Sequence, residues 1–96
     1  MSKIVFLFFG GVRPNKNIET LIQAFKQIEG STYSLIIAGN PGNDAEYASK
    51  LHNLADGDQR ISFHLQYIPD EQIQIYFNAC DVVVLPFARV LTSGSA

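Results

Sequence analysis

The stretch Gly10-Gly11-Val12-Arg13-Pro14-Asn15-Lys16 places two glycines, a guanidinium and an ammonium within one short run. Adjacent glycines let a backbone pass close to a bulky anion, and the two cations suit a phosphate or diphosphate. A second run, Ser93-Gly94-Ser95, follows Arg89 near the end of the chain. It reads as an anion-binding loop, and equally as an unordered chain end. Neither run carries a sharp phosphate fingerprint: the sequence has no Gly-Lys-Ser/Thr and no GxGxxG. Gly-Gly after a strand is common in plain turns, and one Arg with one Lys is ordinary in a loop, so both readings stay open.

Other chemistry-bearing residues have ordinary explanations. His64 falls near the end of an apolar run, where it reads as a hydrogen-bonded structural histidine or as a ligand-facing one. His52 has no metal-binding partner four residues away and reads as a surface residue; Cys80 ends an apolar helical stripe and reads as core. No His, Cys and carboxylate set has metal-ligand spacing. Neither Ser-x-x-Lys nor Gly-x-Ser-x-Gly occurs, so no nucleophile is expected.

The elements that would position these loops follow from periodicity. Ile4–Phe9 is an unbroken β-branched and aromatic run, the mark of a strand covered on both faces. Ile18, Leu21, Ile22, Phe25 and Ile28 form one helical stripe, with Asn15 or Asn17 to cap it and Gly30 to end it. A second cycle runs from strand Tyr33–Ala38 through the Gly39-Asn-Pro-Gly42 turn to a helix over Ala45–Ala55. A third runs from strand Ile61–Leu65 to a helix beginning at Pro69-Asp70 and carrying Ile73, Tyr76, Phe77 and Cys80. Val82–Leu85 is the fourth strand, stopped by Pro86, and Asp81 before it reads as a helix-to-strand junction.

Alternation of this kind predicts an α/β fold, a Rossmann-like parallel sheet with flanking helices. The expected spatial order is 3-2-1-4. Ligands of such sheets bind at the carboxyl ends of the strands, at the switch point between strands 1 and 4. The first loop and the Arg89–Ser95 segment would meet there. Val82–Leu85 would also be an apolar sheet edge, which soluble proteins avoid. The sheet therefore reads as truncated, with that edge paired in some way, for instance in a homodimer.

Composition sets the outer limits. The 96 residues make one domain or part of one, with 47% hydrophobic and 17% charged residues, which excludes a disordered tail. Net charge of −2 argues against a nucleic-acid partner. Lys3, Arg13 and Lys16 precede the first acid, Glu19; from Glu19 to Asp81 nine acids accompany three bases, and only Arg89 follows. The longest apolar run, Ile4–Phe9, is far short of the ~20 residues of a membrane span, and it lacks a signal-peptide cleavage site. One cysteine permits no intramolecular disulfide, which fits a reducing cytoplasm.

In order along the chain, several segments resemble one family. Phe8–Asn17 with Leu21–Phe25 is similar to the opening of the donor-binding domain of GT-B glycosyltransferases of the family 4 type, the glycosyl transferases group 1. Leu35–Gly39 resembles that family's second strand and its glycine. Ile68–Ile73 resembles the loop and helix start before the next strand, and Ala79–Pro86 the Ala-x-Asp-hydrophobic-Pro strand. Together these segments cover nearly the whole chain.

The resemblance implies transfer of a sugar from a nucleoside-diphosphate donor, a UDP or GDP sugar, to an acceptor. In this family that usually proceeds with retention and without an obligatory metal or other cofactor. Lys16 matches a lysine that contacts the donor diphosphate. The usual first-loop arginine position holds Gly11, and Arg13 stands two residues later. Gly10, Gly11, Arg13 and Lys16, with Ser93, Gly94 and Ser95, are thus the implied diphosphate contacts; Gly39, Tyr67 and Ile68 match the nucleobase region. Thr92–Ser95 resembles a glutamate-free form of the family's next segment, and the N-terminal acceptor-binding domain is missing. Residues 1–96 then read as a partial donor-binding domain, inactive alone, from a cytoplasmic or membrane-peripheral enzyme. A sugar-nucleotide epimerase of GT-B architecture and a non-catalytic small α/β binding module are the rival readings.

Overall fold

The computed structural model describes residues 4–13 and 16–84. Its elements are β1 (Ile4–Phe9), α1 (Ile18–Lys26), β2 (Tyr33–Gly39), α2 (Ala45–Leu54), β3 (Ile61–Leu65), α3 (Asp70–Ala79) and β4 (Val82–Val83). The strands form one parallel sheet in the order β3-β2-β1-β4, the Rossmann-like order expected from the sequence. Boundaries differ from expectation by little: β2 takes in Gly39, and α2 ends at Leu54 with Ala55 as its C-cap. β4 is seen at Val82–Val83, and Leu85 lies outside the described residues.

Alternation along β1 divides the core into two. Phe8 faces one side with Leu35, Ile37 and Ile61, where Ile18, Ile22 and Phe25 of α1 and Tyr47 and Leu51 of α2 cover it. Fully burying side chains of this size stabilises by roughly 1.5–3 kcal/mol each, so this face anchors both helices. Leu7 faces the other side with Ala38 and Ile68, where half-buried Ile73, Tyr76 and Cys80 pack. No residue of α3 is itself buried. Phe77, expected on the α3 stripe, is 40% exposed but keeps its ring against Phe9, centroids 5.4 Å apart. Cys80 is half-buried rather than deep core, its thiol donating to the Phe77 carbonyl at 3.4 Å.

Polar fastenings hold the helices in place. Asp44 caps α2, its Oδ1 accepting from the Tyr47 N–H at 2.9 Å. Asn17 stands at the cap position of α1 in the left-handed region (φ 60°) and makes no side-chain cap bond; asparagine tolerates that conformation better than most residues. Lys26 at the end of α1 donates to the Leu54 carbonyl at the end of α2, at 2.8 Å. Tyr47 donates its hydroxyl to Glu19 at 2.9 Å, and Lys50 pairs with the same carboxylate at 3.2 Å. Arg60 bonds the Ile28 and Gly30 carbonyls and Asp58, and lies 4.6 Å over the Phe25 ring. The three bases of the acidic middle segment, Lys26, Lys50 and Arg60, are therefore all engaged in the scaffold.

β4 is held to β1 by the Asp81 N–H to the Val5 carbonyl (2.7 Å) and the Val84 N–H to the Leu7 carbonyl (2.8 Å). Asp81 adds a side-chain bond, its carboxylate accepting the Val5 N–H at 2.8 Å. The junction residue of the sequence reading thus also ties the fourth strand to the first.

Candidate functional site

Parallel register brings the carboxyl ends of β1, β2 and β3 side by side: Phe9 lies opposite Ala38, Ala38 opposite His64, and Gly39 opposite Leu65. Three loops leave this edge and enclose a cleft of about 230 Å³. Phe9, Gly10, Gly11 and Arg13 line it from the first loop, Gly39 and Asn40 from the second, and Tyr67 and Ile68 from the third.

Of the residues expected to bind diphosphate or base, six meet here: Gly10, Gly11, Arg13, Gly39, Tyr67 and Ile68. Lys16 is not among the lining residues; it follows within the same loop, its backbone N–H bonded to the Arg13 carbonyl at 3.1 Å. Ser93, Gly94 and Ser95, like Arg89, lie outside the described residues.

Gly39 is where the first two loops touch. It is buried at φ 150°, and a Cβ there would overlap the backbone carbonyl of Gly10. The Gly10 N–H continues the β1–β2 ladder to the Ala38 carbonyl at 3.2 Å, and the Val12 N–H continues it to the Asn40 carbonyl at 3.1 Å. Val12 itself is fully buried in the core under α1 and α2. The wall of the cleft is therefore an extension of the sheet rather than a free loop.

Arg13 crosses between the loops. Its Nη1 donates to the Asn40 carbonyl at 2.8 Å and to the Val12 carbonyl at 3.2 Å. The Asn40 side chain accepts from the Gly42 N–H at 2.8 Å, closing the turn from within. Asn40 was legible in the sequence only as part of a turn signal. Its carbonyl becomes a cleft-forming acceptor because two donors converge on it from the first loop.

Tyr67 is 69% exposed at the mouth, whereas Ile68 is buried and anchors its loop against Leu7 and Ala38. His64 is exposed beside this edge, its Nδ1 3.2 Å from the Tyr76 hydroxyl, the structural hydrogen-bonded role rather than a cleft-lining one. His52 is exposed on α2, its ring 4.3 Å from that of Phe63. Among the described residues no group of three or more His, Cys, Asp or Glu side chains is arranged to hold a metal ion. None of the described helices is long and apolar enough to cross a membrane.

Chemically, the cleft offers backbone around two glycines, an arginine at the wall and an exposed tyrosine at the rim. This suits an anionic ligand that also carries a flat or ring-shaped part.

Comparison with known proteins extends the same picture over the chain. Residues 1–92 match the family described as glycosyl transferases group 1. A GDP-mannose:glycolipid 4-beta-D-mannosyltransferase of Xanthomonas campestris pv. campestris is 32% identical over 89 residues, covering 93% of this chain and 25% of that protein. A lipopolysaccharide 1,2-N-acetylglucosaminetransferase of Salmonella typhimurium strain LT2 is 29% identical over 89 residues, covering 85% of this chain and 23% of that protein. The chain thus spans about a quarter of the length of these relatives. With a match that runs through all four strands and every loop of the cleft, the chain belongs to the glycosyl transferases group 1 family.

Proposed function

We propose that the chain is part of the donor-binding domain of a glycosyltransferase that moves a sugar from a nucleoside-diphosphate sugar, a GDP or UDP sugar, to an acceptor. The carrying observation is the cleft at the carboxyl edge, where the glycine-rich loop and the Arg13 guanidinium share one wall and Tyr67 stands at the rim. Family membership and relatives named for GDP-mannose and N-acetylglucosamine transfer support the same reading.

In this reading Gly10 and Gly11 let the donor diphosphate approach the backbone. Lys16 supplies positive charge, the Arg13 guanidinium stands in the wall beside it, and Ser93, Gly94 and Ser95 complete the anion site. Gly39, Tyr67 and Ile68 border the nucleobase. As the bond to the sugar breaks, negative charge grows on the departing nucleoside diphosphate. Cations held beside it stabilise that charge more than they stabilise the intact donor. In this reading the acceptor would be bound by a separate domain of the complete enzyme.

In the same reading the complete enzyme works in the cytoplasm, at the membrane periphery; relatives named for glycolipid and lipopolysaccharide support a membrane-side acceptor. The outer edge of β4 carries Val82 and Val83 at 42% and 43% exposure, and pairing with a second copy is the dimer it would support. Sedimentation of the chain tests this separately: a dimer is expected, and a monomer at all concentrations contradicts it.

Isothermal titration with GDP and UDP tests the donor site. Binding in the micromolar to millimolar range is expected, weakened roughly five- to tenfold in Lys16→Ala as one charge-assisted contact is removed. Absence of binding to either nucleotide, or equal binding by the variant, contradicts the assignment.

A further inference from the structure

Arg13 is committed to the protein's own backbone. Its Nη1 bonds two backbone carbonyls, Asn40 across 27 residues and its neighbour Val12. The Asn40 carbonyl accepts from both the Arg13 guanidinium and the Val12 N–H. Beneath the guanidinium lies Gly42, at φ 67°, so bare that a Cβ added there would come within 3.1 Å of Nη2. The second loop thus has a seat for the arginine, formed by a carbonyl on one side and a glycine on the other.

From this we infer that Arg13 is a positioning residue, a latch that fixes the second loop against the first and so sets the spacing of the cleft walls. The inference rests on the donor-site reading for its link to binding, and it refines the part played by Arg13 there. Lys16 remains the residue whose charge acts on the diphosphate. Arg13 acts through Asn40, so its loss affects every part of the ligand that the cleft encloses. An arginine whose main partner is a phosphate would behave differently: its loss would be felt by a diphosphate and not by a nucleoside. The latch also accounts for the displaced position of the guanidinium, since residue 13 follows Val12, whose N–H already bonds Asn40.

Two measurements on Arg13→Ala test this. In the ligand-free chain, amide hydrogen exchange at Val12 and Gly42 should quicken roughly fivefold, as expected for one lost hydrogen bond, while Leu35 and Ile37 in the sheet core stay unchanged. In NMR titrations, affinity for GDP and for guanosine should fall by the same factor, whereas Lys16→Ala should weaken GDP and spare guanosine. Unchanged exchange at Val12 and Gly42 overturns the latch, as does a general rise that includes Leu35 and Ile37. Selective loss of GDP in Arg13→Ala overturns it too and makes Arg13 a direct phosphate ligand. If the unsubstituted chain binds neither GDP nor guanosine, the donor-site reading fails, and the exchange measurement alone still decides whether the latch exists.

Discussion

Gly39 shows how a single position can be constrained from outside its own strand. Its missing side chain leaves room for the Gly10 carbonyl, so two loops from adjacent strands can close on each other. Gly39→Ala should cost about 3 kcal/mol or more, because overlap with backbone cannot be relieved by rotating a side chain. Urea unfolding checks this; a loss below about 0.5 kcal/mol would mean that the loops are not in contact there. Tyr47 illustrates a different constraint. Its part-buried hydroxyl reaches from α2 to Glu19 on α1, and burial first, then that hydrogen bond, raises its pKa. Tyr47→Phe should cost about 1 kcal/mol in the same unfolding measurement. The glycine and cation types of the first loop were readable in the chain, and so was the nucleobase-side pair Tyr67 and Ile68 once the family resemblance was seen. The tie from Arg13 to Asn40 and the Tyr47–Glu19–Lys50 contact were not, because each depends on which loop or helix face is brought opposite, and no local pattern encodes that.

Strands and helices were far more legible than these contacts, since their signals are local and repeated. Ile18, Ile22 and Phe25 are buried at the spacing that predicted α1, and the four apolar runs became the four strands. The start of α1 was less so: Asn17 occupies the cap position without capping, because its left-handed backbone directs the chain into the helix in place of a side-chain bond. The spacing predicts an apolar stripe on α3, yet none of its residues is buried, since it is the one described helix packed on that face of the sheet. β4 has only two described residues and depends on its flanking bonds. Asp81→Ala removes the acceptor of the Val5 N–H and should destabilise by about 1 kcal/mol, whereas Asp81→Asn keeps an acceptor oxygen and should recover most of that loss. Thermal melts of both variants distinguish this from a simple charge effect, in which Ala and Asn would behave alike.

Charge is divided across the molecule as a whole. Lys26, Lys50 and Arg60 fasten helices and connections, while Arg13 and Lys16 stand in the loop beside the cleft. The scaffold pairs also set the acid stability. Burial works against the ionised Glu19 carboxylate, but the Tyr47 hydroxyl and Lys50 ammonium outweigh it and hold its pKa below the ordinary 4.5. The Arg60 hydrogen bonds hold Asp58 below its ordinary 3.8. Since both folded values are depressed, the unfolded chain takes up these protons more readily. Their stabilisation is complete above the ordinary values and is lost as pH falls through the folded ones. Melting temperature should therefore drop on acidification below pH 4.5, and by less in Tyr47→Phe, where Glu19 has already lost one bond. A flat profile in this range would contradict the pairing.

Whether the cleft is the donor site is tested most directly by a residue-resolved NMR titration of the chain with GDP and UDP. Amide shifts concentrated at Gly10, Gly11, Arg13, Gly39, Asn40, Tyr67 and Ile68 are predicted, the residues that line the three-loop edge. Shifts confined to α2 or the opposite edge of the sheet, or none at millimolar nucleotide, would contradict the account.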